Sequence, residues 1–143
     1  YAKIAEAAEA AGLMINLGAI EKTPNTIDAH RLIHWAGIEQ RQTAAVSALF
    51  TAYFEMGRDI GDAEVLADIA DSIGLDAAAI ARLLATDADI DGISQRDAHS
   101  REAGVTGVPT FIVAGQHAVP GAQPPEVWEQ VIDDILAQQA AEA

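Results

Sequence analysis

Gly104-Val-Thr-Gly-Val-Pro-Thr-Phe-Ile-Val113 sets a proline where a strand begins. Proline has no N–H for a sheet, so it is confined to a strand's first residue, an edge or a bulge. Thr110, Phe111, Ile112 and Val113 follow it, all good strand formers, and predict a buried strand. An X-Pro bond in so tight a place is a candidate for the cis isomer; the alternative is a trans proline that simply opens the strand. Downstream, residues 114–116 read as a turn and residues 117–119 as the returning strand of a hairpin. Pro120-Gly121 breaks it, and Gln123-Pro-Pro125 starts a final helix, with prolines in the first turn where an N–H is not needed. That helix is predicted to bury Val127, Trp128, Val131, Ile132, Ile135 and Leu136.

Upstream of Gly104 the hydrophobic period is helical. Residues 2–11 form an alanine-rich helix stopped by Gly12, and residues 13–22 read as a connector with a short extended piece. Thr23-Pro-Asn-Thr26 opens a helix through Trp35, with Asn25 or Thr26 as N-cap. The pattern resumes over residues 41–56, with Val46, Leu49, Phe50, Tyr53 and Phe54 on one apolar face predicted to be core. Asp62 and Asp76 cap two further helices, the first ending at Gly74, and another spans residues 88–103.

The chain has 143 residues, half of them apolar, enough for one domain with a real core. Its 22 acidic and 8 basic residues give a formal net charge of −14, which repels nucleic acid and anionic membranes. No run approaches the roughly 20 apolar residues of a membrane span. Zero cysteines exclude a disulfide framework and leave the redox compartment open. Tyr1-Ala-Lys-Ile4 opens without methionine and inside a helical pattern, so the expectation is a fragment of a longer product. A lone hairpin leaves two open edges. Its pairing partners are therefore expected upstream, and a homodimer of the fragment is expected to cover the exposed strand edge.

Two metal-like patterns fail on their spacing. His30 and His34 stand one helical turn apart, but no glutamate follows His30 and no third ligand is at hand, so packed or hydrogen-bonded histidines are the reading. Asp87-Ala-Asp-Ile-Asp-Gly92 matches the first half of a calcium loop, yet the position of its bidentate glutamate is Ala98. The aspartates fit a helix N-terminus instead. No metal site is expected. His99 and His117 read as solvated, and Asn25 reads equally as a cap and as a ligand contact.

Four motifs together resemble a family. Thr23-Pro-Asn-Thr-Ile-Asp-Ala-His-Arg-Leu-Ile-His-Trp-Ala36, Gly57-Arg-Asp-Ile60, Gly104-Val-Thr-Gly-Val-Pro-Thr-Phe111 and His117-Ala-Val-Pro-Gly-Ala-Gln-Pro-Pro-Glu-Val127 resemble, in order, the FrnE-like branch of the DsbA family. The resemblance implies an α+β, mainly helical chain. Residues 1–103 would be the helical insertion of a thioredoxin-like fold and residues 104–143 its C-terminal strand-strand-helix part. The β-α-β unit that carries Cys-x-x-Cys would be absent.

The implied activity is thiol–disulfide oxidoreduction, with no catalytic residue in this chain because the nucleophilic cysteine is missing. The resemblance assigns substrate binding to Val108, Pro109 and Thr110, and to Asn25 and Gln123. It implies a thiol or disulfide protein, or a small thiol, as partner, with no cofactor and a cytoplasmic location. One alternative is a glutathione-dependent isomerase or transferase of the 2-hydroxychromene-2-carboxylate or kappa class. Those branches tend to carry an acidic residue where Gly121-Ala-Gln-Pro124 stands here, which favours the FrnE-like reading. A further alternative is a non-catalytic helical interaction domain.

Overall fold

The computed structural model describes residues 2–142. The chain divides into two compact units, one running through Arg96 and the other from Asp97. The first unit is helical. It contains α1 (Ala2–Ala10), a 3-10 turn (Leu17–Ala19), α2 (Ile27–Ile38) and α3 (Gln42–Phe50), which runs into a π-helical turn (Thr51–Glu55). Helices α4 (Ala63–Ser72) and α5 (Ala77–Leu84) follow, and α6 (Ile90–Glu102) passes through the division. Among the described residues no helix is long and apolar enough to cross a membrane.

The helical periods build one core. Ala29, Leu32 and Trp35 of α2 meet Leu49, Ala52, Leu66, Ile69, Ile80 and Leu84, at the i, i+3, i+4 spacing of a single face. The caps expected from sequence are present. Asp62 Oδ1 accepts from the Glu64 and Val65 N–H groups at 2.8 and 3.1 Å, and Asp76 Oδ1 from Ala79 at 2.9 Å. At the other end of α4, Arg41 donates to the Ile73 carbonyl at 2.7 Å.

Arg31 is the polar centre of this core and is 1% exposed. Its Nε donates to the Ala88 carbonyl at 2.7 Å, and Nη2 to those of Leu83 and Thr86, both at 2.8 Å. Its Nη1 pairs with Asp28 at 2.7 Å and reaches the Leu84 carbonyl at 3.5 Å. These carbonyls belong to the C-terminal end of α5 and the loop after it; that of Leu83 also accepts from Thr86. The guanidinium also lies 4.9 Å from the Trp35 ring. Trp35 Nε1 in turn donates to Asp89 Oδ2 at 2.8 Å, and Asp89 holds a left-handed backbone, φ 62°. The aspartate run that mimics a calcium loop is therefore a connector pinned from α2.

The start of α2 is held from the turn after the π-helix. Lys22 pairs with Asp59 at 2.7 Å, and Asp59 Oδ1 accepts from the Gly61 N–H at 3.0 Å. Gly57 has φ 67°, and a Cβ there would overlap the Ala19 carbonyl, so only glycine lets the 3-10 turn approach. The hydrogen bond from Lys22, then that from Gly61, holds the Asp59 carboxyl below the ordinary carboxylate range. The same hydrogen bond from Lys22, and the attraction of Asp59, raise the Lys22 ammonium.

The second unit contains the rest of α6, then a hairpin, then α7 (Pro125–Glu142). Strands β1 (Thr110–Val113) and β2 (His117–Pro120) pair antiparallel, Thr110 opposite Pro120 and Val113 opposite His117. Ala114 and Gly115, both at positive φ, turn the chain, and the Gln116 N–H closes on the Val113 carbonyl at 3.2 Å. Phe111 meets Trp128 of α7 edge-to-face at 4.9 Å.

Five expectations are corrected. The strand after Pro109 is not fully buried: Ile112 is 61% exposed, because α7 packs against the Phe111 face and the described residues of this unit leave the other face bare. Val127, Ile132 and Leu136 are exposed, since two strands are too narrow to cover a helix face nearly half its circumference wide. Phe50 and Phe54 also face outward, because the α3 period spends its inward positions on Ala45, Leu49 and Ala52. Residues 17–19 form a 3-10 turn where a short extended piece was expected, and the helix over residues 41–56 is α only to Phe50.

Two outcomes test this account. Arg31→Met leaves the α5 carbonyls and Asp28 without their donor and is expected to cost about 3–5 kcal/mol in urea unfolding, whereas Asp28→Asn, at a partly exposed site, costs about 1 kcal/mol. Asp59→Asn keeps the acceptor for Gly61 and removes the charge. Asp59 is depressed in the fold, so its contribution is present above the unfolded carboxylate value of about 3.9 and fades as pH falls through the lower folded value. Lys22 is raised, so its contribution is present below about 10.4 and fades at higher pH. The difference in thermal midpoint between wild type and Asp59→Asn should therefore be present near neutrality and vanish at either extreme.

Candidate functional site

The sequence around Pro109 builds a small closed circuit of hydrogen bonds. Helix α6 ends at Glu102, Gly104 follows at φ 92°, and the Val105 N–H returns to the Ser100 carbonyl at 3.0 Å. The chain then crosses residues 105–109 and enters β1, and the Val108–Pro109 peptide bond is cis. Thr110 Oγ1 donates to the Gly107 carbonyl at 2.7 Å. The Gly121 N–H donates to the Pro109 carbonyl at 2.7 Å. On the opposite strand, Gln123 Nε2 donates to the Pro120 carbonyl at 2.6 Å.

These bonds bring Val108, Pro109, Thr110 and Gln123 to one end of the hairpin. They commit the Gly107 and Pro109 carbonyls on either side of Val108. Among the described residues, the main-chain N–H and C=O of Val108 carry no hydrogen bond, and Val108 is 92% exposed. A main-chain donor and acceptor held on a fixed loop can pair with another extended chain, as an edge strand does. The loop holds no thiol, since the chain has no cysteine, and the Thr110 hydroxyl is given to Gly107.

Asn25 belongs to the other unit, and its side chain caps: Oδ1 accepts from the Ile27 N–H at 3.0 Å. His30 is exposed on α2. His34 stands between two charges, with Nδ1 3.5 Å from Arg96 and Nε2 4.0 Å from Asp89. Among the described residues no three histidine or acidic side chains are disposed to hold a metal ion. His99 is exposed; His117 is half-buried and lines a cleft of about 540 Å³ between β2 and α7. Sequence reasoning missed two features. Arg31 showed only as a residue that broke a zinc pattern, although an arginine on the inward face of an amphipathic helix is itself a signal. The outward aromatic turn gave no signal, because period alone does not say which part of a broad apolar face is covered.

The chain matches the model of the DSBA-like thioredoxin domain over residues 1–133. It is 34% identical to the uncharacterised protein YwbO of Bacillus subtilis over 128 residues, covering 89% of this chain and 64% of that protein. Its fold superposes on the crystal structure of a probable DsbA oxidoreductase from Streptomyces coelicolor with a TM-score of 0.79 and 31% identity, covering 91% of this chain and 56% of that one. It thus spans less than two thirds of the length of either relative. The match runs through the helical unit, the hairpin and into α7, and the chain belongs to the DSBA-like thioredoxin domain family.

Proposed function

We propose that this chain is the substrate-docking part of a FrnE-like thiol–disulfide oxidoreductase. The observation that carries the reading is the Val108 main chain, 92% exposed and unpaired among the described residues, on a loop whose Gly107 and Pro109 carbonyls are tied down by Thr110 Oγ1 and the Gly121 N–H. The Streptomyces relative, described as a probable DsbA oxidoreductase, supports it. In this reading residues 1–103 are the helical insertion and residues 104–143 the C-terminal strand-strand-helix part of the thioredoxin-like domain. The site of action is the cytoplasm.

An extended segment of the substrate pairs with the N–H and C=O of Val108, and Pro109 and Thr110 form the floor of the contact. The nucleophile is a cysteine thiolate outside these 143 residues. It attacks one sulfur of the substrate disulfide, a mixed disulfide forms, and the other sulfur leaves as thiolate with the electron pair of the broken bond. Gln123 positions the loop, since its amide fixes the Pro120 carbonyl opposite Thr110. The glutathione-dependent alternative has less support. Asn25 and Gln123, its polar contacts, are each bonded to their own backbone neighbourhood.

The test follows amide resonances of the 143-residue protein while a short, extended, cystine-containing peptide is added. The largest shifts are expected at Val108, Thr110 and Gly121. Shifts confined to other residues would sink the reading, and shifts at Asn25 produced by glutathione would favour the isomerase or transferase class. Gln123→Ala should lower stability by about 1 kcal/mol and weaken peptide binding severalfold, read from the same titration.

A further inference from the structure

We propose that His34 is a pH-sensitive latch between α2 and the first half of α6. Neutral, its ring accepts from Arg96 and holds the helix; protonated, it repels Arg96 and keeps only Asp89. The device goes beyond the thiol exchange proposed above and does not depend on it.

Helix α6 is weakly anchored by its own sequence. Ile93 is buried and Ile90 half-buried, and Gly92 stands in the first turn. Beyond Ile93 the helix offers no apolar side chain larger than Ala98. Polar contacts therefore weigh more here than in α4 or α5, and His34 supplies them from α2.

The His34 side chain, 26% exposed, stands between two opposite charges. Its Nδ1 lies 3.5 Å from both Nη1 and Nη2 of Arg96, and its Nε2 lies 4.0 Å from Asp89 Oδ1. A guanidinium only donates, so Nδ1 is the acceptor and the neutral ring carries its proton on Nε2, toward Asp89. Asp89 is itself fixed, since its Oδ2 accepts from Trp35 Nε1 at 2.8 Å. On α2, His30 and Arg31 stand one turn from His34, and the Arg31 charge is already met by Asp28.

Imidazole takes up its second proton between about pH 8 and pH 5. Here that proton goes on Nδ1, the atom Arg96 uses. A hydrogen bond is replaced by two like charges at contact distance, while the attraction of Asp89 grows. The ring thus changes partner: it lets go of α6 at Arg96 and keeps the connector at Asp89.

The test is amide hydrogen exchange of the whole chain at about pH 8 and pH 5, corrected for the intrinsic pH dependence of exchange. Relative to Leu66 and Ile69 in the core, protection over residues 93–96 should fall about two- to fivefold at the lower pH, the size of a partly exposed charge contact. Ring nitrogen shifts of His34 should show the proton on Nε2 at the higher pH. His34→Gln, neutral at every pH, and Arg96→Gln should each remove the pH-dependent fall. A neutral ring protonated on Nδ1, no fall in the wild type, or the same fall in either variant would overturn the proposal. So would a Trp35 indole N–H that loses protection together with residues 93–96, because the whole connector would then be opening rather than one partner being exchanged.

Discussion

The helical unit depends on one buried cation. Arg31 has five N–H donors, and the structure finds an acceptor for each: Asp28 and the carbonyls of Leu83, Leu84, Thr86 and Ala88. A helix C-terminus normally spends its last carbonyls on water or a glycine cap. Here α5 ends inside the protein, and a side chain from α2 replaces the solvent. The arrangement fixes the loop between α5 and α6, which sets Asp89 against Trp35 and beside His34. Among the described residues no buried side-chain nitrogen or oxygen lacks a partner, so the cation is fully accommodated.

The loop at Pro109 is built differently. Around Arg31 every polar group is used; around Pro109 only some are. The Thr110 hydroxyl, the Gly121 N–H and the Gln123 amide each close a bond within the loop and its hairpin end. Val108 itself is an exposed peptide edge, and what holds the loop around it is hydrogen bonding rather than burial.

Much of this was legible in the sequence. Asp62 and Asp76 announced their helices, Gly104 marked where the period changes, and the two prolines at 124 and 125 marked the start of α7. The hairpin followed from its β-branched run and its Gly115 turn. The neighbourhood of Pro109 was legible as a loop, but the bonds of Thr110 and Gln123 were not, since side-chain partners depend on register. Burial was the weak point. Periodicity shows which residues share a face, and Phe50, Ile132 and Leu136 do share apolar faces. Whether a face is covered depends on how much sheet or helix lies against it, which no local pattern records. The π-helical turn was also hidden, because it changes the helix by one residue without a proline or glycine to mark it.

The closing of the Pro120 carbonyl by Gln123 gives the hairpin a direction of growth. Gly121 pairs with Pro109, so by alternation along an antiparallel ladder the Pro120 carbonyl points away from β1, toward the outer side of β2. Proline brings no donor to that side, and the Gln123 amide occupies the acceptor. The outer side of β1 has no such stopper: Thr110 and Ile112, by the same alternation, turn both their N–H and C=O groups outward. A further strand therefore finds both outward positions of β1 open, whereas on β2 Ala118 is open and Pro120 is closed, so β1 is the more complete template.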